Sequence, residues 1–465
     1  MKRTVFHFIS ISICILALSS HAFGADLESR MQALEEMLIK QQKTIEEQQQ
    51  SIDVLKARIG APTVVGPGLK TGSAGPEQIE SGAVTETVPS AGTKKPTEIT
   101  GLFGGSALSN PNISLILNTF AYSSNLKNEE LSSRGIPGYT TEGLEWKNGF
   151  NLEAAELFFF APVDPYFNLY ATIPVKEEGA ELEEAYFVTT ALPEGHQIKG
   201  GKFKSGFGRI NSQHPHAWDF VDIPLPYRAF TGPKGITEKG GQYTYIPKWP
   251  FYTIFGVEVL QGENQTLFGE NATGGPHAFT GFAKASFDIG EHSTILFGPS
   301  VITGKTKTGT VQADSDFTAD STLYGLEFVY KWKNSKQQGF TLQSEYMFRD
   351  QYGDLTDTVL GTVERLDRSQ DGVYVQGIYQ WDRWRFGARY DALSVFRENY
   401  ELAGSRQDFG RNPWRTSGMI EFNPTEFSRI RFQYTHDESD PMEKKNDEFF
   451  LQVIMGIGAH AAHPF

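Results

Sequence analysis

The sequence predicts an all-β protein: a transmembrane antiparallel β-barrel of about 16 strands, preceded by an N-terminal α-helical coiled coil. Three observations predict it. An export signal heads the chain. A heptad run follows. From residue 112 onward, period-two segments are joined by connections that alternate short and long.

The 465 residues leave room for two or three ordinary domains. Residues 1–24 carry Lys2-Arg3, then one apolar run over 5–23. They end in Ala22-Phe23-Gly24, with small residues at −3 and −1 of a cut before Ala25. Charged, apolar and cleavage regions in that order make a secretory signal peptide. The run is too short to span a bilayer comfortably as an anchor. The single cysteine, Cys14, lies inside this signal and lacks the small-residue context of a lipoprotein signal. The mature chain is therefore expected to have no thiol, disulfide or cysteine metal site, which suits a bacterial envelope protein.

Composition narrows the class further. A net charge of −14 argues against nucleic acid as a partner. The negative mean hydropathy excludes a bundle of membrane helices. Aromatic residues at 13% and 47 glycines are high for a soluble domain. Both suit a barrel with aromatic girdles and kinked strands.

Residues 25–59 read as a periplasmic coiled coil. Leu27, Met31, Leu34, Leu38, Gln41, Ile45, Gln48, Ile52, Leu55 and Ile59 recur at alternating steps of four and three, with no glycine or proline between them. Sustained a/d apolarity with polar flanks argues for helices wound on one another. Gln41 and Gln48 place polar layers in that seam, which fixes register at a cost in stability. The helix would be about 50 Å long. Residues 60–98 are dominated by Pro, Gly, Ser and Thr and read as a flexible linker.

Residues 99–465 read as the barrel. In 166–175, Phe167, Leu169, Ala171, Ile173 and Val175 share one face, and Tyr166, Asn168, Tyr170 and Thr172 the other. Such alternation marks a strand with one apolar face. Strands are expected at 112–122, 150–160, 166–175, 181–190, 196–204, 240–247, 251–260, 277–287, 292–303, 321–333, 338–350, 371–381, 384–394, 413–422, 427–437 and 446–458. Short turns fall at 161–165, 192–195, 247–250, 290–291, 334–336, 382–383 and 423–426. Longer polar stretches lie between them, chiefly 123–149, 205–239, 304–320 and 395–412. Short periplasmic turns and long outer loops are the pattern of outer-membrane barrels. An even count leaves both ends in the periplasm, where the N-terminal arm belongs. Phe158, Phe159, Tyr166, Trp249, Phe251, Trp381, Trp384, Phe422 and Phe427 gather at the short turns as one aromatic girdle. A barrel of this size encloses water.

The motif Gly201-Lys202-Phe203-Lys204-Ser205-Gly206-Phe207-Gly208-Arg209, with the coiled coil and the barrel length, resembles the phosphate-selective porin O/P superfamily. Residues 211–222, NSQHPHAWDFVD, and the ending 458–465, GAHAAHPF, look closer to a porin-like branch labelled zinc-regulated, TonB-dependent outer-membrane receptors. The resemblance implies a trimeric channel in the outer membrane of a Gram-negative cell, and a link to metal supply. A TonB-dependent receptor needs a plug ahead of a larger, 22-stranded barrel. Ahead of Asn112 the sequence offers a coiled coil and a linker, so a channel without a plug is expected. The C-terminal Phe465 looks like the assembly signal read by the barrel-assembly machinery, though His463 and Pro464 depart from the usual pattern.

The candidate site residues fall in two groups. The first is the third long loop and the strand entering it: Lys202, Lys204, Arg209, His214, His216, Asp219 and Asp222. Such a loop either folds into the lumen and constricts it or stays outside, and the sequence leaves both open. The second is a set of arginines opposite the lipid face on three neighbouring strands: Arg385, Arg389, Arg415, Arg429 and Arg431. Arginine ladders favour anions in pores. Equally, they can pair with Glu327, Glu345, Asp391 and Glu421, which also face inward, and leave a mixed field. His214-Pro215-His216 with Asp219 and Asp222 is the one metal-like set. Imidazole and carboxylate suit zinc, but two histidines one residue apart supply half a site. The rival reading is a loop packed by Trp218, Phe220 and Pro224. No cofactor is otherwise expected.

No motif marks a nucleophile and base held together, so an enzyme is not expected. The expected function is passive diffusion of small hydrophilic solutes, anions above all, through an oligomeric porin in contact with lipid. Two alternatives remain: an outer-membrane component of zinc or metal uptake, and a structural protein whose coiled coil tethers a barrel anchor to the cell wall.

Overall fold

Period-two alternation does produce strands along the chain. The computed structural model describes residues 111–269, 272–440 and 444–458, all within the unit Lys94–Phe465. The signal peptide, coiled coil, linker, His460, His463 and Phe465 lie outside the described residues. One sheet holds eighteen members. Two of them, Gly179–Ala180 and Ser405–Arg406, are two-residue extensions of neighbouring strands, which leaves sixteen full strands.

In chain order these are β1 Asn112–Ser124, β2 Gly149–Pro162, β3 Phe167–Lys176, β4 Glu184–Thr189, β5 His196–Lys204, β6 Thr237–Tyr245, β7 Tyr252–Leu260 and β8 Ala278–Ile289. The rest are β9 Ser293–Thr308, β10 Ser315–Lys333, β11 Gln338–Asp357, β12 Val363–Trp381, β13 Trp384–Leu402, β14 Trp414–Thr425, β15 Ser428–Glu438 and β16 Asn446–Ile457. Each pairs antiparallel with the next. β16 returns to β1, from Leu115↔Ile457 to Ser124↔Glu448. The sheet is thus a closed sixteen-strand barrel with no free edge.

Its two faces invert the rule for soluble proteins. Asn118, Gln343, Glu345, Gln376, Gln433 and Gln452 point inward and are buried. Ile113, Leu117, Leu326, Phe432, Leu451 and Met455 point outward and are exposed. A water-soluble core would be built the other way round. Tyr166, Trp249, Phe251, Trp381, Trp384 and Phe427 are exposed at the short-turn end. Phe158 departs from the expected girdle. It shares the inward face with Ala154 and Glu156, is buried, and meets the Tyr170 ring at 6.4 Å.

Two expected loops are largely strand. β9 runs on to Thr308 and β10 begins at Ser315; β13 continues to Leu402. The reason lies in length: β10 has 19 residues and β11 has 20, whereas about 9–11 residues cross a bilayer. Beyond the lipid the outward face of a strand meets water, so polar residues replace apolar ones there and the composition imitates a loop. Val311, Phe317, Leu355, Leu366 and Tyr400 form a small apolar cluster that holds these projecting hairpins together.

The first long connection carries one turn of helix, α1 Asn128–Ser132. The third connection, 205–236, turns into the barrel. It has 3-10 turns at Ile210–Ser212 and Pro215–Ala217, then α2, Leu225–Thr231, begun by Pro224 and Pro226. Every residue from 220 to 232 is buried. Phe207, Ile210, Tyr227 and Phe230 of this loop pack with Tyr139 of the first connection and with Leu323, Met347 and Tyr374 of the wall. At this level the lumen holds an apolar core. The sequence alone had favoured water there, because loop and wall had to be brought together before their apolar residues could meet.

Candidate functional site

The loop is sealed where it enters. Asn211 donates through Nδ2 to the carbonyls of Ser205 and Ile236, at 2.8 and 3.0 Å, and accepts from the Ile236 amide at 2.5 Å. One side chain thereby ties both ends of the loop. Glu258 of β7 accepts from the Ser205 hydroxyl at 2.5 Å and the Gly206 amide at 2.8 Å.

Across the lumen, Glu345 of β11 is the deeper anchor. Its carboxylate accepts from the Arg209 and Ile210 amides at 2.9 and 3.1 Å, and from the Tyr227 and Tyr374 hydroxyls at 2.7 and 2.6 Å. Buried polar groups need such partners, and a carboxylate needs them most. Gly208 makes the approach feasible. Its φ is +63°, and a Cβ there would stand 2.2 Å from Tyr227 Oη and 2.5 Å from Glu345 Oε2.

The five expected arginines do form one wall, on β13, β14 and β15, and the loop lies along it. Arg389 Nη2 meets Asp222 Oδ2 at 2.6 Å, and Arg415 Nη1 meets the same oxygen at 2.8 Å. Both also reach Asp391. Arg385 bridges Asp219 and Glu421. Arg431 binds Glu421 at 2.6 Å, with Arg429 at 3.5 Å. The same arginines donate to loop carbonyls: Arg429 to His216, Arg431 to Trp218, Arg389 to Asp222 and Arg415 to Ile223. Gln433 returns the favour by accepting from the Val221 amide at 2.7 Å. These guanidiniums are therefore engaged by the loop and by wall carboxylates. Of the alternative acids, Asp391 and Glu421 pair with them. Glu327 takes Lys284 instead, at 3.1 Å, and Glu345 takes the loop.

Burial alone would raise the Asp219 and Asp222 carboxyls. The guanidinium of Arg385 beside Asp219, and those of Arg389 and Arg415 beside Asp222, outweigh burial and hold both below the usual carboxylate range.

The metal-like set is rearranged. Asp219 and Asp222 go to the arginine wall, away from the histidines. His214 and His216 turn the other way, with ring centroids 5.6 Å apart. They meet carboxylates that lie far off in the sequence. His214 Nδ1 is 3.5 Å from Glu156 Oε2 of β2 and 3.2 Å from Glu183 Oε2. Its Nε2 is 2.9 Å from Glu184 Oε2 of β4. His216 Nδ1 is 3.4 Å from Glu156 Oε2. Lys204 is buried and pairs with Glu183 at 2.8 Å. Lys202 is half-buried and donates to the Leu182 carbonyl at 2.6 Å. Arg209 is buried and donates through Nε to Gln343 at 3.1 Å.

Sequence reading missed Glu156, Glu183 and Glu184, though Glu156 sits at an inward position that period two reveals. It also missed Arg349 of β11 and Arg368 of β12. Both are fully buried and make no ion pair among the described residues. Arg349 donates to Gln370 at 2.5 Å and lies over the Phe230 ring at 5.0 Å. Arg368 donates to Gln351 at 2.7 Å and lies over Phe317 at 5.1 Å. The inward face of β11 carries Gln343, Glu345 and Met347 in line with Arg349, so period two could have found it.

No family model matches the chain. A protein of Aquifex aeolicus (strain VF5), described as uncharacterized, is 40% identical over 380 residues, covering 76% of this chain and 80% of the relative. Similar solved structures include the outer membrane channel DcaP of Acinetobacter baumannii, at 13% identity and TM-score 0.48, covering 75% of this chain and 97% of that one. An outer membrane protein of Vibrio cholerae, OmpT, is 12% identical with TM-score 0.44, over 75% of this chain and 97% of that one. An anion-selective porin from Comamonas acidovorans is 8% identical with TM-score 0.43, over 75% of this chain and 99% of that one.

Proposed function

The chain belongs to one family with the Aquifex aeolicus protein, and for it we propose a porin-type channel of the outer membrane, a passive path for small hydrophilic solutes. One observation carries this reading: a closed sixteen-strand barrel with an apolar outer face and a loop folded inside it. The barrel keeps a route through lipid, and loop 205–236 narrows it. In this reading the protein works as a homotrimer, with its N-terminal arm in the periplasm. Chemical cross-linking in whole cells checks the trimer.

The same reading assigns any anion bias to Arg349 and Arg368. The wall arginines have carboxylate partners, so their fields are largely cancelled. A guanidinium without a countercharge in a low-dielectric wall still acts on ions nearby. Purified protein in planar bilayers should give conductance steps. Under a salt gradient its reversal potential should indicate anion preference, and Arg349→Gln with Arg368→Gln should shift it toward zero. Absence of steps defeats the channel; cation preference defeats the anion bias alone.

A further inference from the structure

We propose that Glu156, Glu183 and His214, with His216 beside them, form a binding site for one divalent cation of the zinc class, bridging the loop to the β2–β4 wall. Donor atoms of Glu156, Glu183 and His214 lie within 4.8 Å of one another. His216 brings its Nδ1 to the same Glu156 oxygen.

The spacing fits a ligand set: the His214 Nδ1–Glu183 contact is a long hydrogen bond, and the two contacts to Glu156 are longer than a hydrogen bond. Charge-assisted hydrogen bonds run at about 2.7–2.9 Å. Here the Nδ1-to-carboxylate separations are 3.2, 3.4 and 3.5 Å. Bonds of 2.0–2.2 Å in a tetrahedral zinc site set neighbouring donors about 3.3–3.6 Å apart.

A second, independent observation concerns Glu156. It is only 5% exposed; its Oε2 faces the two imidazoles, while its Oε1 has no hydrogen-bond partner. A buried carboxylate oxygen left in that state is costly unless a cation meets it.

The surroundings are those of a held ligand set. Glu184 Oε2 takes the other nitrogen of His214 at 2.9 Å, the position from which a carboxylate orients a metal-binding imidazole. Lys204 fixes the far oxygen of Glu183 at 2.8 Å. Imidazole with two carboxylates suits zinc, whereas Mg²⁺ and Ca²⁺ prefer oxygen alone. His214 and His216 come from the loop and the acids from the wall side, so the ion would staple one to the other.

The test uses full-length protein purified without a histidine tag, stripped with chelator and titrated with zinc chloride by calorimetry. Co²⁺ absorption reports the ligand field. One equivalent per chain is expected, with Mg²⁺ and Ca²⁺ failing to compete at equal concentration. His214→Gln with His216→Gln should abolish that equivalent, and Glu184→Gln should weaken it about 10–100-fold. The surface variant His436→Gln should retain it. Heat-modifiable gel mobility checks that each barrel has folded; should the double variant fail there, Glu156→Gln is read in its place. Absence of saturable binding, or an equivalent that survives these loop and wall variants, overturns the site. The readout is binding and is independent of conductance.

Discussion

Arg389 and Asp222 form a buried pair, 2.6 Å apart, between the barrel wall and the loop that crosses the lumen. Arg415 shares the same carboxylate oxygen, and both arginines also reach Asp391, so two aspartates balance two wall cations and losing Asp222 leaves one in excess. Removing one member of a buried pair costs about 3–5 kcal/mol, since a charge is left without its partner. Asp222→Asn should therefore loosen the loop while the barrel, held by its own ladder, stays closed. Single-channel conductance should rise, and a protease added from the outer side should cut within 205–236. Wild-type conductance together with protease resistance would count against an anchoring role.

Acid should act on the same contact. The folded values of Asp219 and Asp222 are depressed by their arginines. Such groups contribute stability that is present above the unfolded value, about 3.9, and lost as pH falls through the folded one. Asp391 shares Arg389 and Arg415 with Asp222, and Glu448 repels Asp222 when both are charged. Conductance is expected to be steady near neutrality and to rise below about pH 4, reversibly. A flat profile down to pH 2 would remove these aspartates from the argument.

Gly208→Ala tests the backbone. The φ of +63° is left-handed, and the new Cβ would press on Tyr227 and Glu345. Those atoms end flexible side chains, but they are held by their bond to each other. A loss of about 1–3 kcal/mol is expected, visible as a lower midpoint in heat-modifiable mobility. An unshifted midpoint would mean that the loop yields easily at this point.

Glu345→Gln keeps the shape and removes the charge. Gln presents one acceptor oxygen and one amine where four donors now converge. Leaving a buried donor unmet costs about 1–3 kcal/mol. Conductance should become noisier through loop motion, with strand content by circular dichroism unchanged. Quiet wild-type traces would refute the anchor.

The lipid face makes its own prediction. Leu326 points outward on β10, and Arg at the bilayer midplane of such a barrel costs about 2–4 kcal/mol. Leu326→Arg should lower folding yield into vesicles, whereas Gln376→Arg, on the inward face of β12, should fold. Equal yields would mean that the faces have been assigned the wrong way round.

Alternation along each strand and the proline, glycine and asparagine turns were legible in the sequence, because both are written within about ten residues. They determined the strand order, the inward and outward faces, and the arginine wall of Arg385, Arg389, Arg415, Arg429 and Arg431. Where a strand stops was less legible. β10 and β13 outrun the lipid, and polar residues there serve strand and loop alike. Only the closed barrel decided what the third loop does. Closure sets β2 and β4 on one side of 205–236 and β13–β15 on the other. His214 then finds Glu156, Glu183 and Glu184 instead of its neighbours Asp219 and Asp222, and those aspartates find arginines. Such pairings depend on which walls face each other across the lumen, and no local pattern encodes that.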